Sequence, residues 1–497
     1  MKAVLGVDIG SASVRTAVYD LNGNSISYSS HPVELCYPKS GYVEASAEAY
    51  FEALKRSIKD ACSNRNIRIL ALSVGATAST LVCSSEQGEI FAPVIMWMDN
   101  RAARESEIIR SRIGEFSSPE WLPAKALWVS RNMKSVWDKS RYVTELLDWI
   151  NYKLTGEWVS SRCNVTCKRN YLCERSTRVF ADIDGVNLFT KWPDKICSVG
   201  EQIGTLLPIL AAELNLPATT LVVQGGIDAY MAMIGNGCIE EGTLSLTLGT
   251  STVILATSKN PSLGDESIWG PFFEPVSTGR WVVEGGQVSS GSVLNWICSL
   301  SGKSHGQLID EVERLEPLEE DVLMIENLQG NRTPYRNAEA KGAIFGLRLY
   351  HTAAHLYQGA LHATALGARE AIEKVIEATK AEVKVIRASG GGVLNPLWLQ
   401  AHADALNFAI EVPEEPEKIG LLGAAMVAAA GAGVFSSLPD AVRNLEASYH
   451  VVYPARNNSV LRRIHKIREK AYRSTEGISM ELERVMRGAN YERFNCS

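Results

Sequence analysis

The chain opens on a β-prone apolar run at Ala3–Val7, breaks into a glycine- and hydroxyl-rich turn from Asp8 to Ser13, and returns to a second apolar run at Val14–Tyr19. Asn22-Gly23 then signals a hairpin turn into a third strand. From Ser46 to Cys62 the period changes: Tyr50, Leu54 and Ile58 fall four apart, which predicts a helix. Ile67–Val74 reads as a buried strand. A second opening of the same kind begins near Gly242, with strands at Thr243–Leu248 and Thr252–Ala256 around the turn Gly249-Thr250-Ser251. Two such hairpins, about 240 residues apart, suggest a duplicated fold, with two unrelated hairpins as the alternative. The apolar stretch from Ile419 to Pro439 is mostly Gly and Ala, which fits a buried helix of small residues better than a membrane span. The charged stretch Leu461–Arg487 reads as a solvated pair of amphipathic helices.

Length sets the domain count. A chain of 497 residues is too long for one hydrophobic core, so two domains are expected. The boundaries expected are residues 1–240, 241–450 and a helical tail at 451–497. A net charge of −6 gives no basic field for nucleic acid. The ten cysteines are scattered, and the one crowded group, Cys163, Cys167 and Cys173, has neither a CxxC pair nor a nearby histidine. Reduced thiols in a cytoplasmic protein are the expectation, rather than a zinc site. The N-terminus lacks the long apolar stretch of a signal peptide.

Four segments carry chemistry. In GVDIGSASVR, Asp8 stands at a strand end where a carboxylate can hold Mg²⁺ through water. Gly10 lets backbone N–H groups approach a phosphate, and Ser11 and Ser13 add hydroxyls. LTLGTSTV repeats this logic with Gly249, Thr250 and Ser251. ASGGGVLNPLWLQ places a glycine run, with Gly391 and Gly392, between a strand and a helix, where adenine could lie on bare backbone; a structural glycine turn is the alternative. In VVQGGIDAYMAMIGNG, Asp228 follows a strand and a glycine pair and could accept a proton from an attacking hydroxyl, or simply cap the helix. No Rossmann fingerprint and no P-loop occurs.

Taken together and in this order, the four segments resemble the FGGY family of carbohydrate kinases, within the actin/hexokinase/Hsp70 superfamily. The resemblance runs from Gly6 to about Ala447. It implies an α/β fold of two actin-like ATPase (ribonuclease H-like) domains with a catalytic cleft between them. It also implies ATP and Mg²⁺ as cofactors, with Asp8 toward the metal and Asp228 as catalytic base. Gly10, Ser11, Ser13, Arg15, Gly249, Thr250, Ser251, Gly391, Gly392 and Asn395 would bind ATP. Ser11 departs from the usual Thr but keeps the hydroxyl.

Three further segments resemble the ribulokinase-like branch. In GATASTLVCSSEQGEIFAPVIMWMDNRAARE, which carries Thr77, the residues Trp97, Asp99, Arg101 and Ala102 match a WxDxRA run. Trp97 could pack on a sugar and donate its N–H, and Asp99 could accept from hydroxyls. SRCNVTCKRNY places Lys168, and WVVEGGQVSSG places Glu284, where relatives hold substrate. Packed or solvated side chains are the alternative for each. The resemblance therefore implies substrate contacts at Thr77, Trp97, Asp99, Lys168, Asp228 and Glu284. The substrate would be a ketopentose such as ribulose, phosphorylated on its terminal hydroxyl. Xylulose, erythritol and glycerol stand as alternatives. A shape-changing ATPase and a silent sugar sensor are the rivals from other classes. The expected partner is a small sugar, without nucleic acid or membrane; a homodimer is left open.

Overall fold

The computed structural model describes residues 1–63, 66–114, 117–169, 174–315, 322–455 and 459–495. Contacts divide the chain into two compact units. The first comprises Met1–Ile239, Phe272–Val282 and Lys418–Ala447; the second comprises Glu240–Pro271, Val283–Glu417 and Ser448–Ser497.

The first unit is built on a six-stranded sheet. In spatial order its strands are Gln202–Thr205, Leu221–Val223, Arg68–Ala76, Lys2–Ile9, Ser13–Asp20 and Ser25–Pro32. Lys2–Ile9 runs antiparallel to Ser13–Asp20, which puts Asp8 opposite Arg15, and parallel to Arg68–Ala76. The predicted helix forms over Ala47–Ala61, with the Ser46 hydroxyl accepting from the Ala49 N–H as its cap. Its Tyr50, Leu54 and Ile58 are fully buried against the same core as Leu5, Val7, Ile9 and Val14. A four-residue repeat in sequence has thus become one apolar face, as helical geometry requires.

The second unit has a seven-stranded sheet that repeats this plan. Trp281–Gln287, Thr252–Ser258, Thr243–Leu248, Val385–Ser389 and Ile410–Pro413 follow one another in space. Thr243–Leu248 is antiparallel to Thr252–Ser258 and parallel to Val385–Ser389, which is parallel in turn to Ile410–Pro413. The first sheet shows the same strand order and pairing sense, so the two similar hairpins are equivalent parts of a duplicated architecture.

Two expectations change. The small-residue helix forms over Ile419–Gly431 and is almost wholly buried, but it belongs to the first unit, where the sequence division placed it in 241–450. The reason is backbone-to-backbone packing. A Cβ on Gly6 would lie 1.9 Å from the Leu421 carbonyl oxygen, and one on Gly423 would lie 1.9 Å from that of Met231. Only glycine allows this approach to the first strand and to the helix Asp228–Gly235. The charged tail is a single helix, Ser459–Asn495, rather than a solvated pair. Its Arg468 and Tyr472 are buried in the second unit. Among the described residues, no helix is long and apolar enough to cross a membrane.

Candidate active site

In the first unit the hairpin after Ile9 is closed by the Gly10 N–H, which donates to the Ser13 carbonyl at 3.0 Å. Asp8 and Arg15 form an ion pair at the base of this turn. Burial raises the Asp8 pKa above the ordinary carboxylate value, and Arg15 only partly offsets that. Arg15 therefore reaches Asp8 itself. The Ser11 carbonyl accepts from the Tyr50 hydroxyl at 2.5 Å, and the Ser11 hydroxyl accepts from the Trp97 indole N–H at 2.9 Å. A hydroxyl that accepts one bond can still donate its own proton.

Asp228 reaches the same region by a different route. The strand Leu221–Val223 pairs with Arg68–Ala76 and is followed by Gly225 and Gly226. A Cβ on Gly225 would lie 2.1 Å from the Val74 carbonyl oxygen, and one on Gly226 would lie 2.9 Å from Cys163 Cβ. The glycine pair lets the chain press against the central strand before Asp228 opens its helix. The helix N-cap is Ile227, so the capping alternative for Asp228 is not realised. Burial, and then the negative charge of Asp8, push the Asp228 pKa up to about 6; the Ala229 N–H, Arg15 and Lys168 pull the other way. A base tuned toward neutrality suits proton abstraction.

Lys168 lies on a π-helical turn, Val165–Arg169, and is buried. Arg169 anchors that turn: it pairs with Asp148 and donates to the Ser160 hydroxyl at 2.8 Å. Single π turns often mark functional sites. Asn170 and Tyr171 of the same motif, and Cys173 of the cysteine cluster, lie outside the described residues.

Thr77 directly follows the strand Arg68–Ala76; its N–H donates to the Ile9 carbonyl at 3.1 Å and its hydroxyl meets that of Thr80 at 2.8 Å. Asp99 corrects an expectation. It is fully buried, and its carboxylate accepts from the Val43 N–H at 2.6 Å and from three N–H groups of Arg101 at 2.7–2.9 Å. Four donors occupy the four acceptor positions of a carboxylate, so Asp99 fastens its own loop instead of accepting from a sugar. The Trp97 N–H is taken by Ser11, which leaves the half-buried ring face as the part that could meet a sugar.

In the second unit the turn at Gly249 closes in the same way, with the Gly249 N–H donating to the Ser251 carbonyl at 3.0 Å. The Gly249 and Thr250 carbonyls accept from the N–H groups of Gly291 and Ser292 at the start of the helix Gly291–Ser301, leaving Thr250 exposed. Glu284 is buried in the strand Trp281–Gln287. The glycine run is less open than its composition implied. A Cβ on Gly392 would lie 2.4 Å from the Trp398 ring, whereas one on Gly391 would meet nothing within 4 Å. Asn395 caps the helix Pro396–Leu406: its carbonyl accepts from the Trp398 N–H at 3.2 Å, and its amide donates to the Tyr357 hydroxyl at 3.1 Å. Gly392 and Asn395 thus serve packing and capping, and Gly391 alone of the three borders open space.

Protein-family models match both parts of the chain: the N-terminal domain of the FGGY family of carbohydrate kinases over residues 3–235, and its C-terminal domain over residues 244–432. The chain belongs to the FGGY family of carbohydrate kinases. It is an ATP-dependent sugar kinase with the two-domain actin-like fold of that family. It is 28% identical to a human FGGY carbohydrate kinase domain-containing protein, over 90% of this chain and 92% of the relative. It is 25% identical to a xylulose kinase of Lactococcus lactis, over 97% and 99%. The solved structure of a ligand-bound xylulose kinase from Lactobacillus acidophilus superposes with a TM-score of 0.85 at 20% identity, over 97% of this chain and all of that one.

Buried charges of this FGGY kinase that escaped the sequence reading include Lys125, Glu145, Asp148 and Arg169, all fully buried in the first unit. Arg169 falls inside SRCNVTCKRNY beside Lys168, whereas Lys125, Glu145 and Asp148 lie in none of the quoted motifs. For Lys125 the one signal is a charge inside an apolar run, LPAKALWV.

Proposed function

We propose that this FGGY kinase transfers the γ-phosphoryl group of ATP to the terminal hydroxyl of a ketopentose, with xylulose and ribulose as the first candidates. The chemistry rests on one observation: Asp228 opens a helix with its pKa lifted to about 6, within the electrostatic influence of Asp8, Arg15 and Lys168. Asp228 takes the proton of the attacking hydroxyl. The substrate oxygen forms a bond to the γ-phosphorus, the bond to the bridging oxygen breaks, and ADP leaves with that electron pair. The Gly10 and Gly249 N–H groups close their own turns, so the nucleotide is held by the hydroxyls of Ser11, Ser13, Thr250 and Ser251, with the bare backbone at Gly10, Gly249 and Gly391 giving it room. Lys168 donates to sugar oxygens and Glu284 accepts from sugar hydroxyls.

The donor set fits Mg²⁺. Asp8 and Asp228 repel one another, since the charge of Asp8 raises the Asp228 pKa, and a divalent cation would relieve that repulsion. Among the described residues no group of three or more His, Cys, Asp or Glu side chains could hold a metal alone. That agrees with an ion bound through one or two carboxylates and substrate phosphates. When bound, Mg²⁺ neutralises charge on the β and γ phosphates.

Relatives named xylulose kinase, matched over nearly their whole length, favour a pentulose and move xylulose ahead of ribulose. The test is ADP release with each enantiomer of xylulose and ribulose, and with erythritol, glycerol and gluconate. A pentulose should give the highest kcat/KM. A better rate with glycerol or a four-carbon polyol would refute the pentulose assignment. Sugar-independent ADP release would favour a shape-changing ATPase.

A further inference from the structure

Lys125 lies on the helix Leu122–Asn132 with no exposed surface. Its ammonium donates to three backbone carbonyls: Met96 at 2.7 Å, Trp97 at 3.0 Å and Ser79 at 3.0 Å. An ammonium has three protons and accepts nothing, so this is a full complement of partners. Burial pulls the Lys125 pKa down to about 7, against the charges of Glu120, Asp99 and Glu145 and with that of Arg101. A lysine kept in such a place carries a real desolvation cost, which calls for a role beyond filling space.

Its carbonyl partners suggest the role. Trp97 directs its indole N–H to Ser11 in the phosphate-loop hairpin. Ser79 has φ +58, in the left-handed region that disfavours a residue with a side chain. That conformation is held from three sides. The Glu145 carboxylate accepts from the Ser79 N–H at 2.6 Å, the Ser79 hydroxyl accepts from the Leu122 N–H at 3.2 Å, and Lys125 takes the carbonyl. Ser79 stands between Thr77 and Thr80, whose hydroxyls meet. Glu145 in turn lies 3.8 Å from Arg169, which fixes the turn that carries Lys168. Strained backbone persists where the surroundings over-determine it, and such places cluster at ligand sites.

We propose that Lys125 is a positioning residue for the acceptor sugar: by holding the carbonyls of Ser79, Met96 and Trp97 it sets the geometry of the Trp97 wall and the Thr77–Thr80 loop. The inference rests on the proposed sugar-kinase reading and on the substrate contacts that the family resemblance implies for Trp97 and Thr77, and extends them to a residue buried behind that wall. Its consequence is selective. Loss of Lys125 should loosen the sugar wall, while nucleotide groups of the second unit stay as they are.

The test is steady-state kinetics of Lys125→Met, using whichever sugar the wild type phosphorylates best, so that a wrong choice of sugar does not affect the outcome. The KM for sugar should rise about 10- to 100-fold, several-fold more than the KM for ATP, since Trp97 reaches the phosphate-loop hairpin only through Ser11. Lys125→Arg, which keeps the charge and the donors, should recover part of the loss. Equal rises in both KM values would overturn the proposal, as would an unchanged sugar KM. If the methionine variant is insoluble, Lys125→Gln carries the same test with a rise of about 3- to 10-fold. Soluble protein from neither neutral variant would make Lys125 a residue of the fold and overturn the proposal too. A wild type that releases ADP without any sugar would instead refute the kinase reading beneath it.

Discussion

Arg468 on the C-terminal helix offers the sharpest test of how the second unit is held together. Its side chain is 3% exposed and lies between two buried acids. One terminal nitrogen is 2.7 Å from Glu326 Oε2 and the other donates to Glu326 Oε1 at 2.8 Å, while Nε donates to Glu370 at 3.0 Å. Gln287 adds a bond to Glu326 at 3.0 Å. In Arg468→Met the two carboxylates keep their burial and lose their cation. Breaking a buried pair from one side typically costs about 3–5 kcal/mol. For a unit of this size each kcal/mol is worth about 2–4 °C, so the midpoint should fall by roughly 6–20 °C. The pH dependence has a definite sign. Burial already raises the Glu370 pKa while Arg468 lowers it, so removing the arginine raises it further above the unfolded value. A carboxyl raised in this way stabilises the fold when protonated and loses that contribution as pH rises. The deficit should therefore be larger at pH 8 than at pH 5. Calorimetry or circular dichroism melts at both values measure it. A second variant, Arg468→Met with Glu326→Gln and Glu370→Gln, should recover a large part, because no unpaired charge remains. A midpoint change below about 2 °C, or a deficit independent of pH, would refute the argument and return the helix to the status of a solvated tail.

Two further outcomes bear on the proposed chemistry. Asp228→Asn should lower kcat by about 10²–10⁴-fold while nucleotide and sugar still bind; with the Asp228 pKa near 6, the wild-type kcat/KM should fall as pH drops through about 6, and that limb should vanish in the variant. Activity within a few-fold of wild type would remove Asp228 from the reaction. Lys168→Met and Glu284→Gln should each raise the sugar KM by about 10- to 150-fold with little change for ATP, and an equal effect on ATP would count against a sugar role for either residue.

What the sequence shows and what it hides follow from the range of the forces involved. The hairpins at Asp8–Ser13 and Gly249–Ser251 were legible because a turn is local: glycine, hydroxyl residues and flanking β-prone runs specify it within ten residues. The helix with Tyr50, Leu54 and Ile58 was legible for the same reason. The Ile419–Gly431 helix was read correctly as buried, but the unit it packs into was not legible. Burial shows in composition, whereas the partner is set by glycines hundreds of residues away at Gly6 and Gly235, where a Cβ would lie 1.9 Å and 2.0 Å from helix carbonyl oxygens. The tail failed for a related reason. Charge on a helix normally signals solvent, and nothing local shows that Arg468 will meet Glu326 and Glu370.

Asp99 and Lys125 carry that lesson into the candidate site. A family motif can mark a position as important without saying whether the side chain meets substrate. Asp99 falls in the WxDxRA run, yet its four acceptor positions are filled from within by Val43 and Arg101. Arg101 is held there as well, 2.8 Å from Glu44 and with its guanidinium over the Tyr42 ring. Lys125 lies in no motif, yet its ammonium joins the same loop to Ser79. Both residues shape the wall that Trp97 presents, one from within the loop and one from behind it. Sugar specificity in this kinase should then depend on buried charges that never touch the sugar, because a positively charged group with three carbonyl partners fixes a loop more firmly than apolar packing does.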